Sequence, residues 1–203
     1  MSTTVHATAL HVVTDDAPAD RDRAMNAVAD LLASLGYDPD EGDLAETPRR
    51  VADAFIEMLT PQPFEMTTFP NDDAYDEAVV VGGIPFVSLC RHHLLPFRGT
   101  AAVAYLPGAR LVGLSKLARV VAHHARGLQV QESLTMQIAR TLEGALAPRG
   151  VGVVVEAEHL CMAVRGVRVA GATTRTSAFR GAFAGDAALQ AQVVAGVAGP
   201  AHG

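Results

Sequence analysis

Cysteine is scarce in this chain, and lysine is almost absent. Cys90 and Cys161 are the only cysteines among the 203 residues. Two cysteines are too few for a disulfide scaffold and are compatible with a reducing compartment. Lys116 is the only lysine, and every other cationic residue is an arginine. A general drift towards arginine explains this bias without any function, but it makes the position of the one lysine informative.

An excess of positive charge is also missing. The formal net charge is −6 at pH 7, so no basic surplus is available to neutralise phosphates along a duplex. We therefore expect no nucleic-acid partner. An anionic small molecule would have to be bound by a local cluster of cations.

Long apolar runs are absent as well. The first residues lack a cationic start followed by a sustained apolar core. No later run approaches the roughly 18 apolar residues that are needed to span a bilayer. These absences predict a soluble, cytoplasmic protein with no membrane partner.

The hydrophobic content of 49% is sufficient for one compact domain with appendages. Residues 1–18 are polar and unpatterned, which predicts a flexible N-terminal arm. Residues 19–75 are predicted to form a helical region, and residues 76–183 the main domain. Residues 184–203 are predicted to be a tail with a short helix that frays.

The main domain has the pattern of an α+β fold. The predicted order is strand, strand, helix, helix, strand, strand, which indicates an antiparallel sheet with two helices packed on one face. The other face needs cover from the N-terminal helices or from a neighbouring subunit, and periodicity does not choose between them. The elements are strands at 77–89 and 100–106, helices at 115–125 and 131–146, and strands at 151–162 and 167–179.

Two short segments carry residues with metal-ligand spacing. CRHH places Cys90, His92 and His93 within four residues, where a predicted strand gives way to a turn. EHLC places His159 and Cys161 two residues apart on a predicted strand, so that alternation would turn both to one face. Zinc accepts thiolate sulfur and imidazole nitrogen, and three protein ligands leave a fourth position open in catalytic sites.

Other interpretations fit the same residues. The two cysteines could form a disulfide, four of the donors could form a closed structural site, or all of them could be unrelated core residues. A catalytic metal is favoured because both cysteines of the chain lie beside histidines. Five donors exceed the three or four that a metal needs, so some imidazoles would remain free for proton transfer. Spacing does not say which.

A second cluster has the pattern of an anion site. GLSKLARVV opens a predicted helix with Ser115 and places Lys116 and Arg119 three residues apart on one face. Helix N-termini and cations together suit phosphate groups. A plain N-cap followed by a solvated helix face explains the segment equally well when it is taken alone. Further arginines near other motifs could contribute, namely Arg49, Arg50, Arg165 and Arg168.

Gln131 and Glu132 begin the next predicted helix. An acidic residue in the first turn complements the helix dipole and needs no further function. As a binding group, a carboxylate can accept two parallel hydrogen bonds, and the guanine edge offers an adjacent ring N–H and amino group. A fixed glutamate at this position would therefore distinguish guanine from adenine.

Taken together, these motifs resemble type I GTP cyclohydrolase over residues 25–183. The motifs occur in family order, as ETPRRV, C-x-HHLLPF-x-G, GLSKLARVV, LQVQE, EHLCM and RGVR. The resemblance implies a tunnelling fold (T-fold). It also implies a homo-oligomer, a decamer built as a dimer of pentamers, with active sites formed between subunits.

The resemblance further implies a role for each candidate residue. Cys90, His93 and Cys161 would bind one Zn²⁺ per subunit, while His92 and His159 would act as acid and base. Ser115 would lie by the ribose of GTP. Lys116, Arg119 and Arg165 would hold the triphosphate, together with Arg50 from a neighbouring subunit. Gln131 and Glu132 would bind guanine.

The implied reaction is the hydrolysis of GTP to 7,8-dihydroneopterin triphosphate and formate. It would serve the biosynthesis of tetrahydrofolate or of another pterin or deazapurine, and it needs no redox cofactor. Two rival functions share these motifs. One is another T-fold enzyme, such as a deazaguanine nitrile reductase, which would use cysteine without zinc. The other is a GTP-binding homologue with altered catalysis.

Arg91 is the main departure from the family pattern, in which a glutamate commonly stands between the cysteine and the histidine pair. A cation that faced the metal would disfavour Zn²⁺ binding, because like charges repel at short range. We expect the side chain to face outward. Smaller departures are Arg98, Gly127 and the sequence of the tail.

Overall fold

A computed structural model describes residues 19–197 of the chain. The arm predicted at residues 1–18 and the end of the predicted tail lie outside these residues. The chain divides between Ile56 and Glu57 into two compact units. The predicted division of the chain into four segments remains a prediction.

The N-terminal unit contains helix α1 (Arg21–Ser34) and most of helix α2 (Thr47–Leu59). Asp20 caps α1 by accepting a hydrogen bond from the backbone N–H of Arg23 at 2.9 Å. Arg21 pairs with Asp53 across the unit at 2.6 Å. No described residue of α1 is buried, and Leu31 and Leu35 are 57% and 64% exposed. Leu31 and Leu35 are therefore largely uncovered by the residues that the structure describes.

The C-terminal unit is built on a five-stranded sheet. Its order is β5-β2-β3-β6-β7, antiparallel except for the short parallel pair of β5 with β2. Its strands are β2 (Val79–Cys90), β3 (Pro96–Leu106), β5 (Leu128–Gln129), β6 (Gly150–His159) and β7 (Thr173–Gly181), and a separate two-stranded sheet pairs β1 (Thr68–Pro70) with β4 (Arg110–Val112). The predicted α+β class is confirmed.

One face of the sheet carries the two predicted helices, α3 (Leu114–Ala125) and α4 (Gln131–Leu146). Their apolar stripes pack on the sheet and form the larger core, which includes Leu117, Val121, Leu134, Ile138 and Phe97. The spacing of three and four residues in both helices predicts this burial. The two helices also bring the backbone of residues 126–131 to one end of the sheet.

The opposite face is covered by helix α6 (Ala187–Val197), which comes from the predicted tail. Val193 and Val197 of α6 pack there with Ala102, Ala104 and Phe183 in a second core cluster. Neither the N-terminal helices nor another subunit is needed for this cover, contrary to our expectation. Small residues on the strands, such as Ala102 and Ala104, permit the close approach of α6. The sequence of the tail did not predict this packing.

Gly82→Ala is expected to destabilise the protein by about 1–3 kcal/mol, because overpacking forces backbone shifts. A methyl group at Gly82 would collide with the backbone of Gly196 in α6. A shift in the thermal unfolding midpoint measures the effect. Gly185→Ala is the control, because a Cβ there meets no atom within 4 Å. Equal midpoints for both variants would mean that α6 does not pack closely on β2.

The strand predicted at 151–162 ends earlier than expected. β6 stops at His159, and residues Leu160–Ala163 form a one-turn helix, α5. The ladder ends where His159 faces Phe97, because β3 begins at Pro96, which has no N–H to donate. Cys161 therefore lies on α5, and the prediction that alternation along a strand turns it to the same face as His159 was wrong.

The last predicted strand begins later than expected. β7 starts at Thr173, and residues 164–172 form a loop. Gly166, Arg168 and Gly171 all have positive φ angles of 61°, 52° and 77°, which extended strand does not accommodate. Val164, Val167 and Val169 in this loop are exposed. Their β-branched side chains account for the error.

Candidate active site and metal centre

The predicted metal ligands meet at one end of the large sheet. Cys90 is the last residue of β2, and a turn over residues 91–93 follows it. The carbonyl oxygen of Cys90 accepts hydrogen bonds from the N–H groups of His93 and Leu94. Leu94 adopts a φ of 56°, which completes the reversal of the chain. This tight turn places both histidines back beside the thiol.

Three donors form a compact group. Ligand atoms of Cys90, His93 and Cys161 all lie within 4.8 Å of one another. The Nδ1 atoms of His92 and His93 lie 3.9 Å and 3.8 Å from Cys90 Sγ, but His92 does not belong to this group. Two sulfurs and one imidazole are a donor set that suits zinc with one open coordination position. The residues fit the ion that the sequence predicts.

A cavity of about 220 Å³ opens onto this group. Typical ligand pockets are roughly 300–1,000 Å³, so the cavity has room for part of a nucleotide only. A larger groove of about 370 Å³ elsewhere has no cysteine or histidine in its lining. The chemistry therefore lies in the smaller cavity, which is lined by Cys90, His92, His93, Gln129, Val130, Gln131, Glu132, His159, Cys161, Met162 and Thr174.

Burial shifts the pKa of two of these groups. Burial lowers the pKa of His159, and the nearby charge of Glu132 opposes this effect. Burial also raises the pKa of the Cys161 thiol, and the neighbouring Cys90 adds to the rise. Two thiols held this close favour a cation between them, because a metal ion replaces their protons.

The two residues predicted to contact guanine differ in their surroundings. Glu132 is exposed and lines the cavity in the first turn of α4. Gln131 is only 2% exposed, and its side-chain amide bonds inside the protein. The structure leaves Glu132 free to meet a ligand, whereas Gln131 is engaged internally.

Arg165 is the one predicted phosphate-binding residue beside the metal group. Its Nη1 lies 3.4 Å from His93 Nε2. Arg91, which we expected to face outward, is half-buried and is not among the residues that line the cavity. Its outward orientation stays a prediction.

Ser115, Lys116 and Arg119 lie towards the other end of the sheet. They belong to the first turns of α3, which follows directly on β4. The N–H of Val112, at the end of β4, donates to the hydroxyl of Tyr105 at 3.2 Å. Tyr105 lies eight residues along β3 from Phe97, the partner of His159. At about 3.3 Å per residue this is roughly 26 Å.

Arg50 belongs to the N-terminal unit, where its side chain is exposed on α2. The structure thus brings together the predicted metal ligands, both predicted acid–base histidines, Glu132 and Arg165. It does not bring Ser115, Lys116 or Arg119 of the same chain to them. Their predicted roles remain predictions.

Sequence reasoning missed the groups that hold His159. Its ring stacks on Phe97 with centroids 4.6 Å apart and planes 2° apart, and its Nε2 lies 2.7 Å from Gln131 Oε1. Thr135 and Thr176 complete the surroundings of Gln131. The pairing of His159 with Phe97 follows from the register of two strands far apart in sequence, which no local pattern reveals.

Comparison with known proteins identifies the family. The model of the family described as GTP cyclohydrolase I matches residues 24–198. The chain belongs to the GTP cyclohydrolase I family. The T-fold that the motifs implied is the fold of this family, and the chain is an enzyme of it.

Curated relatives named GTP cyclohydrolase 1 match most of the chain. The protein of Mycobacteroides abscessus is 53% identical over 182 residues, covering 86% of this chain and 88% of that protein. The protein of Mycobacterium ulcerans is 51% identical over 180 residues, covering 86% and 89%. The protein of Mycobacterium leprae is 51% identical over 182 residues, covering 86% and 88%.

A solved structure of an archaeosine synthase QueF-Like in the apo form is 18% identical and covers 53% of this chain and 96% of that chain, with a TM-score of 0.42. This likeness carries no argument about function. Within residues 19–197, no helix is long and apolar enough to cross a membrane.

Proposed function

We propose that this chain hydrolyses GTP at C8 of the purine, releases that carbon as formate and forms 7,8-dihydroneopterin triphosphate. The observation that carries the proposal is the cavity in which Cys90, His93 and Cys161 converge beside His92, His159 and Glu132. Membership of the GTP cyclohydrolase I family supports it. The pterin product would serve tetrahydrofolate or a related pterin or deazapurine in the cytoplasm.

Cys90, His93 and Cys161 would hold one Zn²⁺ per subunit. When bound, the ion supplies Lewis-acid chemistry for hydrolysis. The residues of the chain itself bind and orient GTP around it. His92 and His159 lie outside the ligand group and line the cavity, so each imidazole is free to move a proton to or from the purine.

Glu132 would read the guanine base. Its carboxylate can accept hydrogen bonds from the ring N–H and the amino group of guanine, which adenine does not offer in the same arrangement. Its position at the N-terminus of α4 and in the lining of the cavity with Cys90, His93 and Cys161 supports this role. The base would then lie in the cavity with its reacting carbon towards the cysteines.

The triphosphate would be bound outside this cavity by cations of more than one subunit. Arg165 lies beside the cavity in the same chain. Ser115, Lys116 and Arg119 follow β4, whose Val112 contacts Tyr105, and Tyr105 lies roughly 26 Å along β3 from Phe97, the partner of His159. A neighbouring subunit would therefore supply them, with Ser115 by the ribose, and Arg50 would reach in from a subunit as well.

A homo-oligomer with these shared sites would be a decamer, a dimer of pentamers. The exposed residues Leu31 and Leu35 on α1 support association, because a helix with an uncovered apolar stripe is stabilised by a partner. Among residues 19–197 no strand pairs with the outer edge of β7, and this edge offers a further surface for pairing between subunits.

Formate release by the purified protein tests the proposal. GTP should yield formate and ATP should not. Formation of formate from both nucleotides at similar rates would show that the protein does not distinguish guanine from adenine. Binding of GTP with no formate would favour a GTP-binding homologue.

Glu132→Gln is expected to lower kcat/KM for GTP by roughly 10- to 150-fold, the range expected for losing hydrogen bonds to a charged group. Glu143→Gln on the same helix is the matched control, because Glu143 pairs with Arg180 at 2.7 Å and does not line the cavity. Steady-state kinetics with both variants make the comparison. An unchanged kcat/KM in Glu132→Gln would show that Glu132 does not read guanine.

A further inference from the structure

The ring of His159 is held on two sides. One face of the imidazole stacks on Phe97, with centroids 4.6 Å apart and planes 2° apart. The edge of the ring is held by Gln131, whose Oε1 lies 2.7 Å from Nε2. Stacking sets the plane of the ring, and the hydrogen bond sets its rotation within that plane. Together they leave little freedom for the side chain.

The orientation of the Gln131 amide follows from its other partners. Its Nε2 lies 3.1 Å from the carbonyl oxygen of Val155 and 2.9 Å from that of Thr174. Carbonyl oxygens only accept hydrogen bonds, so the NH₂ group must face them, and the flipped amide would set oxygen against oxygen. Oε1 therefore faces His159, and the Nε2 of His159 must carry the hydrogen.

Two threonine hydroxyls support the same arrangement. Thr135 donates to the backbone carbonyl oxygen of Gln131 at 2.8 Å. The hydroxyl oxygens of Thr135 and Thr176 lie 2.6 Å apart, and either can be the donor. The Thr176 oxygen also lies 3.2 Å from Gln131 Nε2, so the two hydrogens of the NH₂ group are shared among it and the two carbonyl oxygens. Each side-chain polar atom of Gln131 therefore has a partner.

We propose that Gln131 is a positioning residue, which fixes His159 with hydrogen on Nε2 and so presents Nδ1 as the nitrogen that exchanges a proton with substrate. Gln131 then acts through His159 and does not read the guanine base. The proposal rests on the proposed function, because it needs a reaction in which His159 takes part. A ring nitrogen fixed by the hydrogen bond of the other nitrogen is a common arrangement in catalytic histidines.

Gln131→Leu tests the proposal, since leucine occupies a similar volume without an acceptor for His159. We expect kcat for formate release to fall about 100-fold, the scale of general acid–base catalysis, while the KM for GTP stays within about threefold of the wild-type value. Gln190→Leu is the control, because it makes the same change away from the cavity. Gln190 donates to the carbonyl oxygen of Phe183 at 2.7 Å and is outside the cavity lining, so its kcat should not change.

A double-mutant cycle separates positioning from direct contact with GTP. In a His159→Ala background, Gln131→Leu should change neither residual kcat nor the dissociation constant for GTP by more than about threefold, because the group it acts through is gone. A further fall in either quantity, or a raised KM at unchanged kcat in the single variant, would overturn the proposal.

Gln131→Glu covers the case in which the leucine variant does not assemble. It keeps an oxygen opposite His159, and as the protonated acid that burial favours it also keeps a donor for one of the two carbonyl oxygens. Retention of kcat to within about tenfold is therefore expected. Weakened GTP binding at unchanged kcat would overturn the proposal. Absence of formate from the wild-type protein would instead contradict the proposed function, so the two failures are distinguishable.

Discussion

Lys116→Ala and Cys161→Ala, each inactive alone, are expected to restore activity to each other when they are assembled into one oligomer. Lys116 lies near the start of α3, and Cys161 lies by His159 at the opposite end of the sheet. If a site takes its cysteines from one subunit and its lysine from the next, random mixing leaves about one quarter of the sites intact. Coexpression with two different affinity tags, followed by formate assays on the doubly purified oligomer, measures this fraction.

The control for this experiment is a mixed oligomer of two single variants, Cys161→Ala and His159→Ala. Both residues line the same cavity of the same chain, so no mixed oligomer contains a site with both of them intact. Activity should stay absent. If the Lys116 and Cys161 variants assemble normally and do not complement each other, the sharing of sites between subunits is contradicted.

Cys161→Ala is also expected to lose its metal. It removes one of three ligands from a group whose donor atoms lie within 4.8 Å of one another. Structural and catalytic zinc sites depend on each thiolate for affinity, and formate release should fall by about 1,000-fold or more as the Lewis acid is lost. Elemental analysis of the purified variant, together with its formate rate, gives both quantities.

Val164→Ala is the control for this loss, because Val164 is 62% exposed and follows α5 without belonging to the ligand group. It should keep about one metal ion per chain and wild-type activity. A Cys161→Ala protein that binds metal and turns over GTP normally would remove Cys161 from the ligand set.

The sheet and the two central helices were predictable because local periodicity specifies them. Apolar residues recur every three or four positions in α3 and α4, and β-branched residues recur along β2, β3 and β6. The role of α6 was not predictable in this way. Its sequence, AALQAQVVAGV, has no clear apolar stripe, and only the packing of Val193 and Val197 against Ala102 and Ala104 shows which face it covers.

The ligand group was predictable from residue types, but the reason for its convergence was not. Cysteine and histidine at close spacing indicate a metal wherever the backbone brings them together. The structure does this with a tight turn after Cys90 and a helical turn at Cys161, whereas the sequence suggested alternation along a strand. Pro96 at the start of β3 bears on the end of β6 only through the register of the two strands, which the sequence does not reveal.

The environment of Gln131 shows where sequence reasoning ends. Because Gln131 directly precedes Glu132, the sequence suggested that both residues contact guanine. Its burial depends on Val155 and Thr174, which come from two strands beyond the helix. Adjacent residues in the first turn of a helix point in different directions. Glu132 is therefore exposed in the cavity, whereas the side chain of Gln131 is buried in the protein.

Measuring formate and pterin in parallel from one GTP sample tests whether this chain carries out the complete reaction. Metal-loaded protein is expected to give one formate and one 7,8-dihydroneopterin triphosphate for each GTP consumed, with the pterin detected by its fluorescence after oxidation. Consumption of GTP without formate, or formate without any pterin, would contradict the assignment of the complete GTP cyclohydrolase I reaction to this chain.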